Sequence, residues 1–150
     1  KPLLGGAVIA LLFFAEGSYR YAGLGIGQIQ DSLRNFAGWE MPLLKSIFTS
    51  LTIATGFKGG EFIPLVFIGT TLGSALSSIL PVPTGMLASV GFAAVFAGAA
   101  NTPVACTLMA MEIFGYQIGP YALVACFMSY QLSGQHGIYK TQKSSRRKWI

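Results

Sequence analysis

GFKGGEFIP, residues 56–64, interrupts an apolar chain with three glycines, a lysine, a glutamate and a proline. The chain beyond it is hydrophobic as far as Tyr139, and between Glu61 and Lys140 the only fully charged side chain is Glu112. A flexible, charged loop thus opens directly onto an apolar segment. A helix starting there leaves its first four N–H groups without intrahelical partners. Its dipole adds roughly half a positive charge at the same end. Gly59 and Gly60 permit a sharp turn and a close backbone approach. Pro64 suits the first helical turn, where its missing N–H forfeits no bond. These features together make a potential anion site built from backbone amides of Glu61, Phe62 and Ile63.

Composition says where such a helix would sit. The 150 residues are 53% hydrophobic and only 10% charged, with mean hydropathy +0.60. Soluble domains carry about 25% charged residues. A surface in water needs polar cover that this chain lacks, so it reads as an integral membrane protein, all-α and polytopic. Lys1-Pro2 runs straight into an apolar helix without a signal-peptide pattern, and the chain reads as a fragment of a longer protein whose upstream part is missing. The net charge of +5 comes from the end, where residues 140–148 hold five Lys or Arg and no acid. Beside a last membrane segment, 140–150 reads as a basic cytoplasmic tail by the positive-inside rule. Without interleaved aromatics it is a poor nucleic-acid binder, and no nucleic-acid partner is expected. Cys106 and Cys126 lie in apolar segments at a spacing that fits no metal motif, and unpaired buried thiols are expected. One histidine and scattered carboxylates form no metal constellation, and no cofactor is expected.

The segments are irregular in length. A helix over 3–15 is followed by a glycine-rich turn over 17–27, then by a short helix from Ile29 to Phe36 that Gly38 ends. Pro42 marks the first turn of a helix reaching Thr55. Phe62 to about Leu80 is one apolar helix, stopped by the prolines at 81 and 83. Thr84 is a candidate N-cap for a helix to about Ala99. GAANTP, 98–103, breaks the chain before a helix that Gly115 ends, and another runs from Gln117 to Leu132. The pattern predicts six to eight helices, several too short to span a bilayer. Irregular backbone at membrane depth is tolerated only inside protein or along a wet cavity. Broken helices of this kind point to a transporter or channel site. Ordinary interfacial loops between spans are the plainer reading of 56–64.

Glu61 also has two readings. A carboxylate at a helix start is a good ligand for the free amides, so it could be a capping acid paired with Lys58. An intramembrane ionisable group is also a functional candidate, here one that binds protons and competes with a permeant anion. Holding an anion by amides, without a full positive charge, suits transport, because the ion must also leave.

Gly60-Glu61-Phe62-Ile63-Pro64 resembles the G-x-F-x-P motif of the chloride-channel (CLC) family of anion channels and anion/proton antiporters. The likeness continues in order along the chain. GFKGGEFIPLVFIGTTLGSAL resembles the family's helix N and the loop before it, GFAAVFAGAANTPVACTLMAMEIFG its helices O and P, and QIGPYALVACFMSYQLSG its helix Q. GIYKTQ resembles the start of the last helix, R, and KPLLGGAVIALLFF with GLGIG is similar to helices J and K. The resemblance implies the second of two inverted halves over residues 1–139, with tilted and broken helices. The first half, with its own gating glutamate and a further anion-ligand loop, is not in this sequence. No internal repeat is visible, which suits a single half.

Carried over residue by residue, the resemblance implies that Gly60, Glu61, Phe62 and Ile63 surround the central anion and that the amides of Glu61 and Phe62 contact it. It implies that the Tyr139 hydroxyl points at the same ion; without it, Tyr139 reads as an interfacial aromatic. The glutamate in the G-G-E-x-x-P-L-x-F-I-G-x-T-L-G pattern and the A-C-T-L-M after GAANTP are similar to the fluoride/proton antiporter branch. The implied function is exchange of fluoride for protons across a bacterial inner membrane, with Glu61 as the proton-coupled or gating group. Ile63 stands where carriers of that branch often have threonine, which leaves a chloride channel or chloride/proton antiporter open. An inactive, truncated membrane protein is the remaining alternative. The implied assembly is a homodimer joined through segments 101–116 and 118–133, in a lipid bilayer.

Other positions have plainer readings. Glu112, near a helix C-terminus, needs a hydrogen-bond partner or the interface. Asn101 and Thr102 read as caps for the restarted helix. His136 reads as a loop histidine, and with Ser133 it makes a poor nucleophile–base pair. Gly69, Gly73 and Ser74 have the spacing of small residues at a helix–helix contact.

Overall fold

The protein is seen in a computed structural model that describes residues 2–17, 21, 23–57, 59–134 and 137–139. Expectations for Lys58, His136, part of the 17–27 turn and the tail 140–150 fall outside the described residues. The described residues form seven α-helices and no strand. They are α1 (Pro2–Glu16), α2 (Ile26–Arg34), α3 (Glu40–Ala54), α4 (Phe62–Leu76), α5 (Thr84–Ala100), α6 (Pro103–Phe114) and α7 (Gly119–Leu132), with a 3₁₀ turn at Tyr116–Ile118 before α7. The longest, α5, has 17 residues. At about 1.5 Å per residue, that is about 26 Å, against a hydrocarbon core of about 30 Å. Among the described residues, no helix is long and apolar enough to cross a membrane.

Several boundaries differ from the sequence expectation, each for a local reason. The α2 helix begins at Ile26 rather than Ile29, because Gly23 and Gly25 complete the turn in left-handed conformations, φ 64° and 65°. It ends at Arg34 rather than at Phe36, because Asn35 is extended and Ser74 takes the next polar groups. The Ser74 Oγ donates to the Asn35 carbonyl (3.0 Å) and accepts from the Ala37 N–H (2.9 Å). Ser74 therefore does more than fill a small-residue position. The α4 helix stops at Leu76 rather than near Leu80, where Ser77 and Ser78 turn their hydroxyls back to the Ser74 and Ala75 carbonyls.

Two expected caps are corrected. Thr84 is already helical, preceded by Pro83, and its hydroxyl donates to Ser77 Oγ at 3.0 Å. Thr102 stands at the α6 start without a side-chain cap bond, its hydroxyl lying 3.4 Å from Cys106 Sγ. Asn101 instead closes α5, at φ 56°, with its N–H bonded to the Ala97 carbonyl. As expected, Gly115 ends α6, at φ 97°, and Pro42 lies in the first turn of α3. Both cysteines are buried and free. Glu112 is exposed.

The α4 helix is central. It packs along α5 on one side and against α3 and α2 on the other, while α5 carries α6 and α7. Lipid tails are as apolar as leucine, so close backbone approach drives such pairing more than water exclusion does. Glycines supply that approach. A Cβ at Gly69 would meet the Gly91 carbonyl oxygen, and one at Gly73 would meet the Leu87 carbonyl oxygen and come within 2.9 Å of Ala88 Cα. With the rings of Phe62 and Phe96 4.8 Å apart, these contacts run in opposite senses along the two helices. So α4 and α5 are antiparallel, and the start of α4 meets the end of α5. A second cluster joins Phe67 of α4, 0% exposed, to Phe48 of α3 and to Tyr21.

Candidate functional site

The start of α4 carries free backbone donors. The first helical bond there runs from the Leu65 N–H to the Glu61 carbonyl (3.3 Å), and Pro64 has no N–H. The N–H groups of Glu61, Phe62 and Ile63 meet no acceptor among the described residues. The Glu61 carboxylate, half-buried, does not cap them. The capping-acid reading of Glu61 is thus not what the structure shows, and its proposed partner Lys58 lies outside the described residues. In an apolar chain, unpaired donors beside a positive helix end attract an anion.

Four of the five residues singled out in sequence fall on one or the other of two sides of the α4 start. On the α5 side, the Phe62 ring packs edge-on against Phe92 and Phe96. The Ile138 N–H donates to the Ala99 carbonyl at 2.9 Å, which ties residues 137–139 to the end of α5. Because α4 and α5 are antiparallel, Tyr139, 51% exposed, comes to the end of the pair at which α4 begins. On the α3 side, Gly60 and Glu61 line a cavity of about 300 Å³ together with Gly59 and Pro64. Phe62, Ile63 and Tyr139 do not line it.

Sequence reasoning missed the buried cation of this cavity. Lys45 of α3 is 3% exposed and lines it beside Tyr21, Phe48 and Thr52. Its Nζ donates to the Tyr21 carbonyl (2.9 Å) and the Gly23 carbonyl (3.0 Å), and lies 5.0 Å from the centroid of the Phe67 ring. The signal was available: Lys45 is a lone cation in the apolar run MPLLKSIFTS, and an ionisable residue inside such a helix is a functional candidate by default.

A family model described as voltage gated chloride channel matches residues 1–134. The chain belongs to the voltage-gated chloride channel family. Its membrane nature follows from that membership. Within the family, it is 49% identical over 155 residues to a chloride/fluoride channel protein of Pseudomonas syringae pv. tomato, covering 99% of this chain and 34% of that one. It is 24% identical to an uncharacterised protein of Methanocaldococcus jannaschii, covering 93% of this chain and 36% of that one. The crystal structure of a CLC-type fluoride/proton antiporter superposes with a TM-score of 0.87 at 36% identity, covering 95% of this chain and 38% of that one. The all-α CLC-type fold expected from sequence is thereby borne out, as is the likeness to the fluoride branch. The chain spans about a third of the length of the relatives it matches.

Proposed function

We propose that these residues are the second half of a transporter that exchanges fluoride for protons across the inner membrane of a bacterium. The observation that carries this reading is the uncapped start of α4, with free N–H groups at Glu61, Phe62 and Ile63 next to a carboxylate that leaves them open. The names of the relatives support the choice of ion. Amides hold a dehydrated anion weakly enough to release it. The amides of Glu61 and Phe62 contact the ion, Gly60 lets the loop approach it, and Ile63 adds a third donor. Tyr139, tied by Ile138 to the end of α5, closes the site from the cytoplasmic side. Glu61 exchanges protons with the pathway as the anion comes and goes.

Chloride is the second reading, favoured by Ile63, which brings no hydroxyl to the site. The assembly is a homodimer through 101–116 and 118–133. Supporting this, α6 and α7 expose apolar side chains, among them Leu108, Val124 and Met128. Residues 1–139 form the transmembrane half and 140–150 a cytoplasmic tail. The test is ion flux from liposomes carrying the full-length protein. Fluoride efflux with opposed proton movement supports the reading; chloride movement alone, or no movement, overturns it.

A further inference from the structure

We propose that the cavity on the α3 side of the Gly59–Glu61 loop is a second anion subsite, with Lys45 as its fixed positive charge and a small monovalent inorganic anion as its ligand. This rests on the reading of the chain as part of an anion pathway, and it adds a residue and a position to that pathway. An ammonium has three donors. Two go to the Tyr21 and Gly23 carbonyls, and the third meets no acceptor among the described residues. The two carbonyls and the Phe67 ring offer partial charges only, and among the described residues no carboxylate pairs with Lys45. A buried cation without a counter-charge is costly. The roughly 300 Å³ of space beside it admits an anion with part of its water shell.

The subsite is distinct from the one at Phe62 and Tyr139. Phe62 packs toward α5, and both residues lie outside the cavity lining. Gly59, Gly60 and Glu61 line this cavity and immediately precede Phe62 in the chain. An anion beside Lys45 is thus one loop away from the α4 amides, with Glu61 as a competing negative group. The carbonyl bonds hold the lysine in place, and the cavity gives it access.

The test is calorimetric titration of the purified full-length protein with sodium fluoride and, separately, sodium chloride, with flux recorded in parallel. Lys45→Met removes the charge and is expected to weaken the binding of at least one of the two anions about tenfold; Lys45→Arg retains it. Thr52→Leu, which fills the cavity from α3 and leaves the lysine in place, is expected to weaken the same anion. It decides the matter if Lys45→Met does not fold. Loss of thermal stability in Lys45→Met with unchanged affinities, or unchanged affinities in Thr52→Leu, overturns the inference and leaves Lys45 as a pin for the 21–25 turn. An unmodified protein that binds neither anion and carries no flux overturns the transport reading as well.

Discussion

Replacing Gly73 by alanine tests the helix pair that positions the site. A Cβ there would lie 2.9 Å from Ala88 Cα, where ordinary contact begins at 3.4 Å, and closer still to the Leu87 carbonyl oxygen. Both obstacles are backbone, so no rotamer change relieves them and the helices must part. Overpacking of this kind costs about 1–3 kcal/mol, while the gain in helix propensity from glycine to alanine returns about 0.5–1 kcal/mol, leaving a net loss of about 1–2 kcal/mol. Gly73→Val should lose more, since the added methyls meet the same wall. Gly27, in α2, is the control, because a Cβ there has nothing within 4 Å. Gly27→Ala should be neutral or slightly stabilising. The assay is thermal denaturation of the full-length protein in detergent, followed by the loss of its folded size-exclusion peak. Gly73→Ala as stable as the unmodified protein, or no more harmful than Gly27→Ala, would refute the close α4–α5 contact. With it would fall the antiparallel register that brings Tyr139 to the start of α4.

Two further outcomes bear on the break in the chain and on the site. Asn101→Ala forces a Cβ-bearing residue without a polar side chain to keep a left-handed conformation. It should lose about 1–2 kcal/mol, whereas Asn101→Gly keeps the dihedral at no such cost, and the same denaturation assay separates them. On the proposed reading of Tyr139 as an anion ligand, Tyr139→Phe removes the ligating hydroxyl and should weaken fluoride binding several-fold by calorimetric titration without lowering stability.

Much of this was legible in sequence because membrane chains have few ways to fold. The deficit of charge, the glycines at 23 and 25, Pro42 and Gly115 each carry one local consequence, and the structure follows them. The prolines at 81 and 83 do not set the end of α4, which stops earlier, at Leu76. The spacing of Gly69, Gly73 and Ser74 announced a close helix contact, although it did not say that Ser74 would also hold the end of α2. The capping assignments went astray because a threonine hydroxyl beside a helix start has rival partners. Thr84 finds Ser77 across a turn, and Thr102 finds Cys106 one turn further along α6. Neither rival could be weighed without the tertiary arrangement. The loop 56–64 announced the free amides, since those follow from any helix starting near Phe62. The division of the α4 start into an α5 side and an α3 side was not legible. It depends on Lys45 reaching across to the 21–25 turn, a contact between residues more than twenty positions apart.

The most direct measurement compares proton movement with fluoride movement in liposomes carrying the full-length protein or its Glu61→Gln variant. Glutamine keeps the shape and loses the exchangeable carboxyl proton. Fluoride efflux driving proton uptake in the unmodified protein, with that coupling lost in Glu61→Gln, is the predicted result. Proton movement that persists unchanged in Glu61→Gln would contradict the role given to the carboxylate at the start of α4.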